Sequence, residues 1–374
     1  FHLCCDALNE EAVARLRKLK HRPQKPFAIM MRDMDTVRRE CEVEEGEEAI
    51  LTGPKKPILL LAKKPDGRLC ASAAPGNPKA GVMLPYAPVQ LLLFSYPDGK
   101  PMTDCFVMTS GNPSGAPICR DDEEAVAYLS GMADVILSND RRIRLRADDS
   151  VMDFISGRPY MIRRSRGYAP VPVFVGGAGS RQALAVGGEL KNTFCLARGG
   201  LAYLSPYIGD LADIRSIRAL AEAVTRMETL LEIRPELVAC DLHPRYNSVD
   251  FARQTGLPLL SVQHHYAHIL SCMAENDVHG DVLGISFDGT GYGTDGTIWG
   301  GEFLRASPES FERLGSLAPF RQAGGDASSR EGWRIAVSLL EDVCGSREET
   351  AALVRKLALC DEQTLRLQFM MLDR

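Results

Sequence analysis

The chain has 374 residues, of which 45% are hydrophobic and 25% charged, which is the composition of an ordinary globular protein. Its net charge of -5 argues against a general nucleic-acid-binding protein, because such proteins are usually basic. Apolar runs stay shorter than the roughly 20 residues that cross a bilayer, which argues against a membrane role. The length exceeds what one hydrophobic core usually serves, so we expect two domains.

The 11 cysteines are scattered and form no CxxC pair, which favours reduced thiols in a cytosolic protein. The chain begins at Phe1, within a stretch that has the pattern of a strand end and its turn. Its last residues follow a helical pattern without a cap. We therefore expect this sequence to be part of a longer protein, interrupted at both ends.

Alternating helical and strand patterns predict a mixed α/β domain over residues 1–172. Residues 9–20 begin with Asn9, have an acidic first turn and end in cations, which predicts a helix. Apolar runs predict strands in KPFAIMMRD, KPILLLAKK and TDCFVMTSGNPSG, then a helix in DEEAVAYLSGM and a strand in DVILSND, residues 134–140. Proline, glycine and serine indicate a linker at 173–182.

The α/β pattern restarts after the linker and predicts a second domain over residues 183–374. Strands are expected in ALAVGGEL, NTFCLARGG and ELVACDL, with the long helix DIRSIRALAEAVTRMETLLEI before the last of them. A helix that carries three histidines and a strand in DVLGISFDGTGYG follow. Polar residues thus come after successive strands, which is how open α/β sheets build a ligand crevice.

Two short motifs of the first domain offer groups that bind anions. Lys20 and Arg22 in KHRP supply charged donors, while Thr109, Ser110 and Asn112 in TSGN supply hydroxyl, amide and backbone donors. These are the donors that phosphate oxygens accept from. Neither motif is specific alone, since a solvated helix end and an ordinary turn contain the same residue types.

The stretch RRSRGYAP, residues 163–170, fits neither a helix nor the interior of a sheet. It places Arg163, Arg164 and Arg166 next to a Gly-Tyr-x-Pro turn, in a chain that is acidic as a whole. Concentrated positive charge in an acidic chain indicates a local anionic ligand. The stretch therefore predicts a positioned anion-binding loop.

The motif QHHYAH places three of the chain's seven histidines within five positions. On a helix, His264 and His268 share one face, while His265 points about 100° away. Two imidazoles on one face can chelate a metal, but His265 stands where a zinc protease has its glutamate base, which excludes that class. An oxygen ligand from elsewhere must complete the site. The alternative is a helix end with one buried and two solvated histidines.

Two glycine turns follow strands in the second domain, in SFDGTGYGTDG and AVGGELKNTF. Glycines let backbone amides approach phosphate closely, and Asp288 at a strand end can supply a carboxylate ligand. Glycine turns are also common in hairpins. The candidate nucleotide-binding residues are Gly187, Gly188, Lys191, Gly289, Thr290 and Gly291.

Several motifs together resemble a known family. FHLCCDA, KHRPQKPFAIM and TSGNPSG resemble a YrdC-type nucleotide-binding domain, while VGGELKNTF, QHHYAH and FDGTGYGTDGTIWGGEF resemble a TsaD-type domain of the actin and Hsp70 superfamily. The fusion, with GVMLPYAP and RRSRGYAP, is similar to the HypF family of carbamoyltransferases that mature NiFe hydrogenases. The resemblance implies an α/β fold: a YrdC-like twisted mixed sheet with helices, followed by a partial TsaD-like domain.

The resemblance also implies an activity. In that family the first domain joins carbamate, derived from carbamoyl phosphate, to ATP as carbamoyl-adenylate. The second domain transfers the carbamoyl group to the C-terminal cysteine of the partner protein HypE. The residues that would hold ATP phosphates and carbamate, or neutralise their charge, are Lys20, Arg22, Ser110, Asn112, Arg163, Arg164 and Arg166.

The resemblance further implies Mg2+ with ATP, and a divalent ion, Zn or Fe, on His264, His268 and Asp288. Family members carry an acylphosphatase domain and zinc fingers upstream, and a further aspartate ligand downstream. None of these stands in this sequence, so we expect incomplete metal and nucleotide binding in the second domain.

Two alternatives stay open. One is an enzyme of tRNA threonylcarbamoyl-adenosine synthesis, because YrdC-like and TsaD-like proteins also make and use such an adenylate. The other is a non-catalytic, actin-like nucleotide-binding scaffold.

Overall fold

The computed structural model describes residues 1–97, 99, 102–176, 179 and 181–373. The chain divides into two compact units, Phe1–Ser261 and Val262–Arg374, called unit 1 and unit 2 below. The predicted domain boundaries stay a prediction, and residues 177, 178 and 180 of the predicted linker 173–182 lie outside the described ranges. In those ranges every helix is too short or too polar to cross a bilayer.

Unit 1 opens with a mixed sheet flanked by helices. Its elements are β1 (His2–Asp6), α1 (Glu10–Leu19), β2 (Ala28–Met31), α2 (Met34–Glu40), α3 (Glu47–Thr52), β3 (Ile58–Ala62), a 3-10 turn (Ala71–Ala73), β4 (Lys79–Met83), α4 (Pro88–Phe94), β5 (Cys105–Ser110), α5 (Asp122–Leu129), β6 (Val151–Ile155) and β7 (Arg158–Arg163). In the described residues the strand order is β1-β5-β2-β4-β3-β6-β7. The pairs β2–β4 and β3–β6 are parallel and the others antiparallel, which confirms the predicted mixed sheet.

Helix α1 confirms the helix predicted at 9–20 and sets the position of Lys20. Its first turn is capped by Asn9, whose side chain accepts a hydrogen bond from the Ala12 amide at 3.0 Å. Val13 and Leu16 are buried against the sheet core. The helix ends at Leu19, and the Lys20 amide donates to the Leu16 carbonyl. Lys20 therefore leaves a capped helix at a fixed place.

The strand predicted at 134–140 is wrong, because this stretch adopts no regular structure. Val135 and Leu137 are 82% and 67% exposed, so these apolar side chains have no sheet face to pack on. A bidentate ion pair between Arg15 and Asp134, at 2.9 and 3.2 Å, ties its beginning to α1. A short apolar run alone does not make a strand where no partner strand pairs with it.

A second sheet follows in unit 1. Its elements are β8 (Val173–Phe174), β9 (Ala183–Ala185), β10 (Cys195–Arg198), β11 (Leu201–Leu204), α6 (Ile214–Leu231), β12 (Leu237–Asp241), α7 (Asn247–Gln254) and β13 (Leu259–Val262). In the described residues its strand order is β13-β12-β9-β10-β11-β8. Its hydrophobic core is separate from that of the first sheet. The predicted long helix is α6, which Asp213 caps by accepting from the Arg215 amide at 2.8 Å.

Unit 2 consists of a helix on an antiparallel sheet, followed by three helices with their own small core. Its elements are α8 (His264–Glu275), β14 (Val282–Tyr292), β15 (Ile298–Ala306), β16 (Phe311–Ser316), a 3-10 turn (Gly325–Ala327), α9 (Gly332–Val343), α10 (Arg347–Lys356) and α11 (Glu362–Leu372). In the described residues the sheet order is β14-β15-β16. Tyr266, Ile269 and Met273 of α8 are buried against the sheet.

Helix α8 lies very close to β14 because Gly284 has no side chain. A Cβ atom at Gly284 would lie 2.2 Å from Cδ1 of Ile269, well inside van der Waals contact. The close contact matters for the site described below, because α8 carries the histidines and β14 carries Asp288.

Gly284→Ala should therefore destabilise unit 2 by about 1–3 kcal/mol, the usual cost of overpacking a core. Both tryptophans of the chain, Trp299 and Trp333, lie in unit 2, so their fluorescence reports its unfolding in urea. Gly315→Ala is the matched control in the same sheet, since a Cβ there would have no neighbour within 4 Å. Equal unfolding midpoints for the two variants would contradict this packing argument.

Candidate functional site

A cavity of about 790 Å³ opens in unit 1 beside the C-terminal end of α1 and the end of β5. Its described lining carries twice as many cationic side chains as carboxylates, and apolar side chains of β3, β6 and β7 also contribute to its wall. The cations are Lys20, Arg22, Lys25, Arg120, Arg144, Arg146, Arg163 and Arg226, and the carboxylates are Asp148, Asp149, Asp210 and Glu222. Such a lining suits an anionic ligand that also has an apolar part.

Lys20 is the most buried of these cations, with 6% of its surface exposed. Its Nζ donates to the Ser110 carbonyl at 2.6 Å, to the Asn112 carbonyl at 3.2 Å and to Asn112 Oδ1 at 3.0 Å. Burial, followed by the nearby positive charge of Arg22, lowers the pKa of Lys20 to about 8. An anion in the cavity would favour the charged form again.

Arg22 lies beside Lys20 and is held by backbone and side-chain oxygens. Its Nη1 donates to Thr109 Oγ1 at 3.4 Å and its Nε to the Lys25 carbonyl at 3.1 Å, while Nη2 donates to the Pro26 carbonyl. The guanidinium carbon lies 4.8 Å from the centre of the Phe27 ring. Burial lowers the pKa of Arg22 to about 10, so the group stays cationic at neutral pH.

The TSGN turn fixes its own side chains at the end of β5. Ser110 Oγ donates to Asn112 Oδ1 at 2.6 Å, and Asn112 Nδ2 donates to the Ala116 carbonyl. The structure thus places the five residues predicted from the KHRP and TSGN motifs on the wall of one cavity, although only Thr109 and Ser110 belong to a strand.

The three arginines of RRSRGYAP have different surroundings. Arg163 lines the cavity, pairs with Asp148 at 2.8 Å and lies 5.3 Å from the centre of the Tyr207 ring. Arg164 donates to the Val171 carbonyl at 2.9 Å. Arg166 pairs with buried Asp149 at 2.8 Å. Of these three arginines, Arg163 alone is among the described residues that line the cavity. The contacts of Arg164 and Arg166 hold the loop in place.

Residues of the segment 207–226 line the same cavity, although no sequence motif predicted a role for them there. Glu222 of α6 accepts hydrogen bonds from Arg120 at 2.6 Å and from Arg146 at 3.3 Å. Tyr207 and Arg226 also contribute to the wall. These contacts join residues 102 and 76 positions apart, and no local sequence pattern gives the partner of so distant a residue.

The turn after β9 is tightly folded. Gly187 has a φ of +71°, and a Cβ there would lie 2.2 Å from the Thr193 carbonyl oxygen, so only glycine fits. Asn192 Nδ2 donates to the Gly188 carbonyl at 2.7 Å, and the Lys191 amide donates to Asp210 Oδ1 at 2.7 Å. Gly187, Gly188 and Lys191 belong to unit 1. The predicted glycine turn at 289–291 belongs to unit 2 and lies within strand β14, because the strand continues through an irregular pairing to Tyr292.

A second cluster in unit 2 brings His264, His268 and Asp288 together. Asp288 Oδ2 lies 2.9 Å from His264 Nε2 and 3.4 Å from His268 Nε2, and the three ligand atoms lie within 4.8 Å of one another. Burial alone would raise the pKa of Asp288, but the Gly289 amide and the two histidines lower it. Two imidazoles and a carboxylate are a donor set that fits Zn2+ or Fe2+.

His265 lies away from this cluster, as the helical spacing predicts. Its side chain is buried between α8 and the β14–β15 hairpin, and Nε2 lies 3.0 Å from the Gly300 carbonyl oxygen. Burial lowers the pKa of His265, so the ring is neutral at physiological pH. The structure therefore gives the three histidines two different environments.

The fold and these two clusters define a class of protein, and comparisons with known proteins agree with it. The telomere recombination model, which covers Sua5, YciO and YrdC proteins, matches residues 1–165. The model of the HypF Kae1-like domain matches residues 178–275, and that of the second subdomain of the carbamoyltransferase Kae1-like domain matches 284–374. The chain thus combines a YrdC-like segment with a Kae1-like segment, the one we described as TsaD-like.

The chain belongs to the HypF family. It is 43% identical to carbamoyltransferase HypF of Rhizobium leguminosarum over 91% of this chain and 45% of the relative. It is 44% identical to carbamoyltransferase HypF2 of Cupriavidus necator over 91% of this chain and 44% of the relative. A crystal structure of full-length HypF in a phosphate- and nucleotide-bound form matches with a TM-score of 0.92 and 41% identity, over 100% of this chain and 48% of the other. This sequence therefore spans about half the length of these relatives.

The buried ammonium of Lys20 predicts that the binding of an anion in this cavity depends on pH, and ATP is the anion that the sequence resemblance implies. With a pKa of about 8 in the free protein, Lys20 is charged at lower pH and neutral at higher pH, where anion binding must first recruit a proton. The affinity for ATP should thus fall between about pH 7 and pH 9, by up to about tenfold per pH unit for one proton.

Isothermal titration of the wild-type chain and of Lys20→Met measures this effect. Lys20→Met should bind ATP more weakly at the lower pH and with a flatter pH dependence. A wild-type affinity that stays constant over the range would show that Lys20 takes no part in anion binding.

Proposed function

We propose that this chain is the part of a HypF-type carbamoyltransferase that makes carbamoyl-adenylate and passes on its carbamoyl group. The observation that carries this proposal is the cavity whose buried Lys20, Arg22 and TSGN turn face a lining rich in cations. The relatives in Rhizobium and Cupriavidus are named carbamoyltransferases, and the similar crystal structure contains phosphate and nucleotide.

In the first reaction a carbamate oxygen attacks the α-phosphorus of ATP. The new P–O bond gives carbamoyl-adenylate, and the broken one releases pyrophosphate. Two anions that repel each other must be held together for this step, and pre-positioned cations reduce the cost of doing so. Lys20 and Arg22 would hold the phosphates, with Mg2+ on ATP, while Ser110 and Asn112 would orient the carbamate. Arg163 would neutralise charge that develops on the pyrophosphate.

In the second reaction a cysteine thiolate of the HypE-type partner attacks the carbamoyl carbon. A thiocarbamate forms at the cysteine and AMP leaves. A divalent ion on His264, His268 and Asp288 would polarise the carbonyl or orient the phosphate of the adenylate. Gly187, Gly188 and Lys191 of unit 1 would approach a nucleotide through backbone amides and charge. The same role is proposed separately, within unit 2, for Gly289, Thr290 and Gly291.

The first reaction is tested by exchange of radiolabelled pyrophosphate into ATP with carbamate or carbamoyl phosphate supplied. Arg22→Ala and Asn112→Ala should each reduce the exchange on the order of 100-fold, because the first removes a positive charge from the cavity and the second removes the oxygen that holds Lys20 Nζ and Ser110 Oγ in place. Arg158→Ala, which removes an exposed arginine on β7, is the matched control and should exchange like the wild type. Unchanged exchange in the two cavity variants would rule out their assigned roles.

The same assay separates the alternatives. Exchange that requires threonine and bicarbonate, and not a carbamoyl donor alone, would favour tRNA threonylcarbamoyl-adenosine synthesis. A chain that binds ATP but exchanges nothing under either condition would favour the actin-like scaffold.

The metal centre is tested separately by the metal content of purified variants. His264→Ala and Asp288→Asn should each lower the bound zinc or iron, because each removes one of three ligands. His279→Ala is the matched control, since His279 is an exposed histidine of unit 2 that lies 3.0 Å from Asp277 and outside the metal cluster. Equal metal content in all four proteins would exclude this site.

A further inference from the structure

His265 is the one histidine of the QHHYAH motif with no direct role in the proposed function, yet it is the most deeply buried. Its exposed fraction is 0%, whereas the side chains of His264 and His268 are 22% and 57% exposed. A polar ring buried this completely must have hydrogen-bond partners, since an unpaired buried polar group costs about 1–3 kcal/mol. Its partners show what it connects.

The hydrogen bonds around His265 determine which of its nitrogens carries the proton. Gln263 Oε1 accepts from the Tyr266 amide at 2.9 Å, so the other end of this side chain is its amide nitrogen. That nitrogen donates to the Tyr292 carbonyl and to His265 Nδ1, both at 3.2 Å. Nδ1 is therefore an acceptor, and the proton lies on Nε2, which donates to the Gly300 carbonyl at 3.0 Å. Both ring nitrogens are thus occupied.

The carbonyl that His265 contacts belongs to a special position in the hairpin. Pairing of β14 with β15 shifts between Phe287 and Gly291, so that residues 288–290 face the single residue Gly300. This bulge begins with Asp288. A Cβ at Gly300 would lie 3.5 Å from the Asp288 carbonyl oxygen, which shows how closely the two strands approach here. Bulges commonly re-aim a side chain at a functional site.

We propose that His265, assisted by Gln263, is a positioning residue that holds this bulge against the start of α8. Through Gly300 it fixes the place of Asp288 relative to His264 and His268. The inference rests on the metal centre of the proposed function and assigns to the third histidine a task that is not coordination.

The space around the ring supports this role. A Cβ at Gly291 would lie 2.5 Å from His265 Cε1 and 3.0 Å from His264 Cβ. Gly291 thus closes the bulge directly under the helix, and a side chain there would push both histidines away. The ring, the bulge and the start of α8 therefore form one packed arrangement, in which a shift of His265 is transmitted to Asp288.

Two amide substitutions separate positioning from general stability. His265→Gln places an amide nitrogen where Nε2 lies and keeps a donor for Gly300, but loses the acceptor for Gln263. His265→Asn places an oxygen where Nδ1 lies and keeps that acceptor, but loses the bond to Gly300. Each variant loses one hydrogen bond, so a purely structural role predicts similar effects.

The measurement is titration of the full chain with Co2+ alone, following the affinity and the cobalt absorption spectrum. His265→Asn should bind Co2+ about 10–100-fold more weakly than the wild type, with an altered spectrum, as is usual when a group that orients a ligand is lost. His265→Gln should stay closer to the wild type in both. His279→Ala controls for the loss of an imidazole, and the fluorescence of Trp299 and Trp333 in urea controls for folding of unit 2.

Equal affinities and spectra for His265→Asn and His265→Gln, or a reversed order, would overturn the positioning role while leaving the metal centre intact. A wild-type chain that binds no Co2+ would overturn the metal centre itself and the inference with it. The two failures are therefore distinguishable.

Discussion

A buried ammonium group is the constraint on which the cavity of unit 1 depends. Lys20 Nζ has carbonyl and amide oxygens of the TSGN turn as its hydrogen-bond acceptors, and 6% of the residue is exposed. A pKa of about 8, against an ordinary value of 10.5, corresponds to roughly 3 kcal/mol in favour of the neutral amine. The protein tolerates this cost only if its surroundings are rigid, which agrees with the Asn9 cap of α1 and with the pairing of β5 on both sides, to β1 and β2. An anionic ligand would recover part of the cost.

The distribution of carboxylates in the cavity also indicates that its cations bind an anionic ligand. Asp148 is paired with Arg163, and Glu222 with Arg120 and Arg146, at distances between 2.6 and 3.3 Å. In the described part of the chain, Lys20 and Arg22 have no such carboxylate partner. Protein carboxylates thus hold Arg120, Arg146 and Arg163 in place, while Lys20 and Arg22 are among the lining cations whose charge stays available to a ligand. This arrangement suits phosphate binding better than a structural salt-bridge network.

Local features of the sequence predicted most of the fold, because they depend on neighbours within one or two turns. The caps at Asn9 and Asp213 set the starts of α1 and α6, and the spacing of His264 and His268 set their common face. Features that depend on distant partners could not be predicted in this way. The stretch 134–140 has a short apolar run but no neighbouring strand to pair with.

The same limit applied to the site. The sequence does not distinguish Arg163, Arg164 and Arg166. In the structure the ion pair with Asp148 holds Arg163 at the cavity, whereas the ion pair with Asp149 holds Arg166 within the loop. Glu222 was missed because its partner Arg120 lies 102 positions away. The motif therefore predicted the correct loop, but it could not predict which of its arginines lines the cavity. That depends on carboxylates that lie outside the motif.

Gly291, which follows the bulge in strand β14, shows why a glycine can have two explanations. From the sequence, Gly291 was a candidate for close approach of a backbone amide to phosphate. In the structure a side chain at Gly291 would collide with His265, so close packing of helix on hairpin already requires a glycine there. Close packing and close approach of a ligand can both require a glycine, so the sequence alone does not distinguish them. They differ in the neighbour that a Cβ would meet, and at Gly291 that neighbour is the ring that connects α8 to the bulge carrying Asp288.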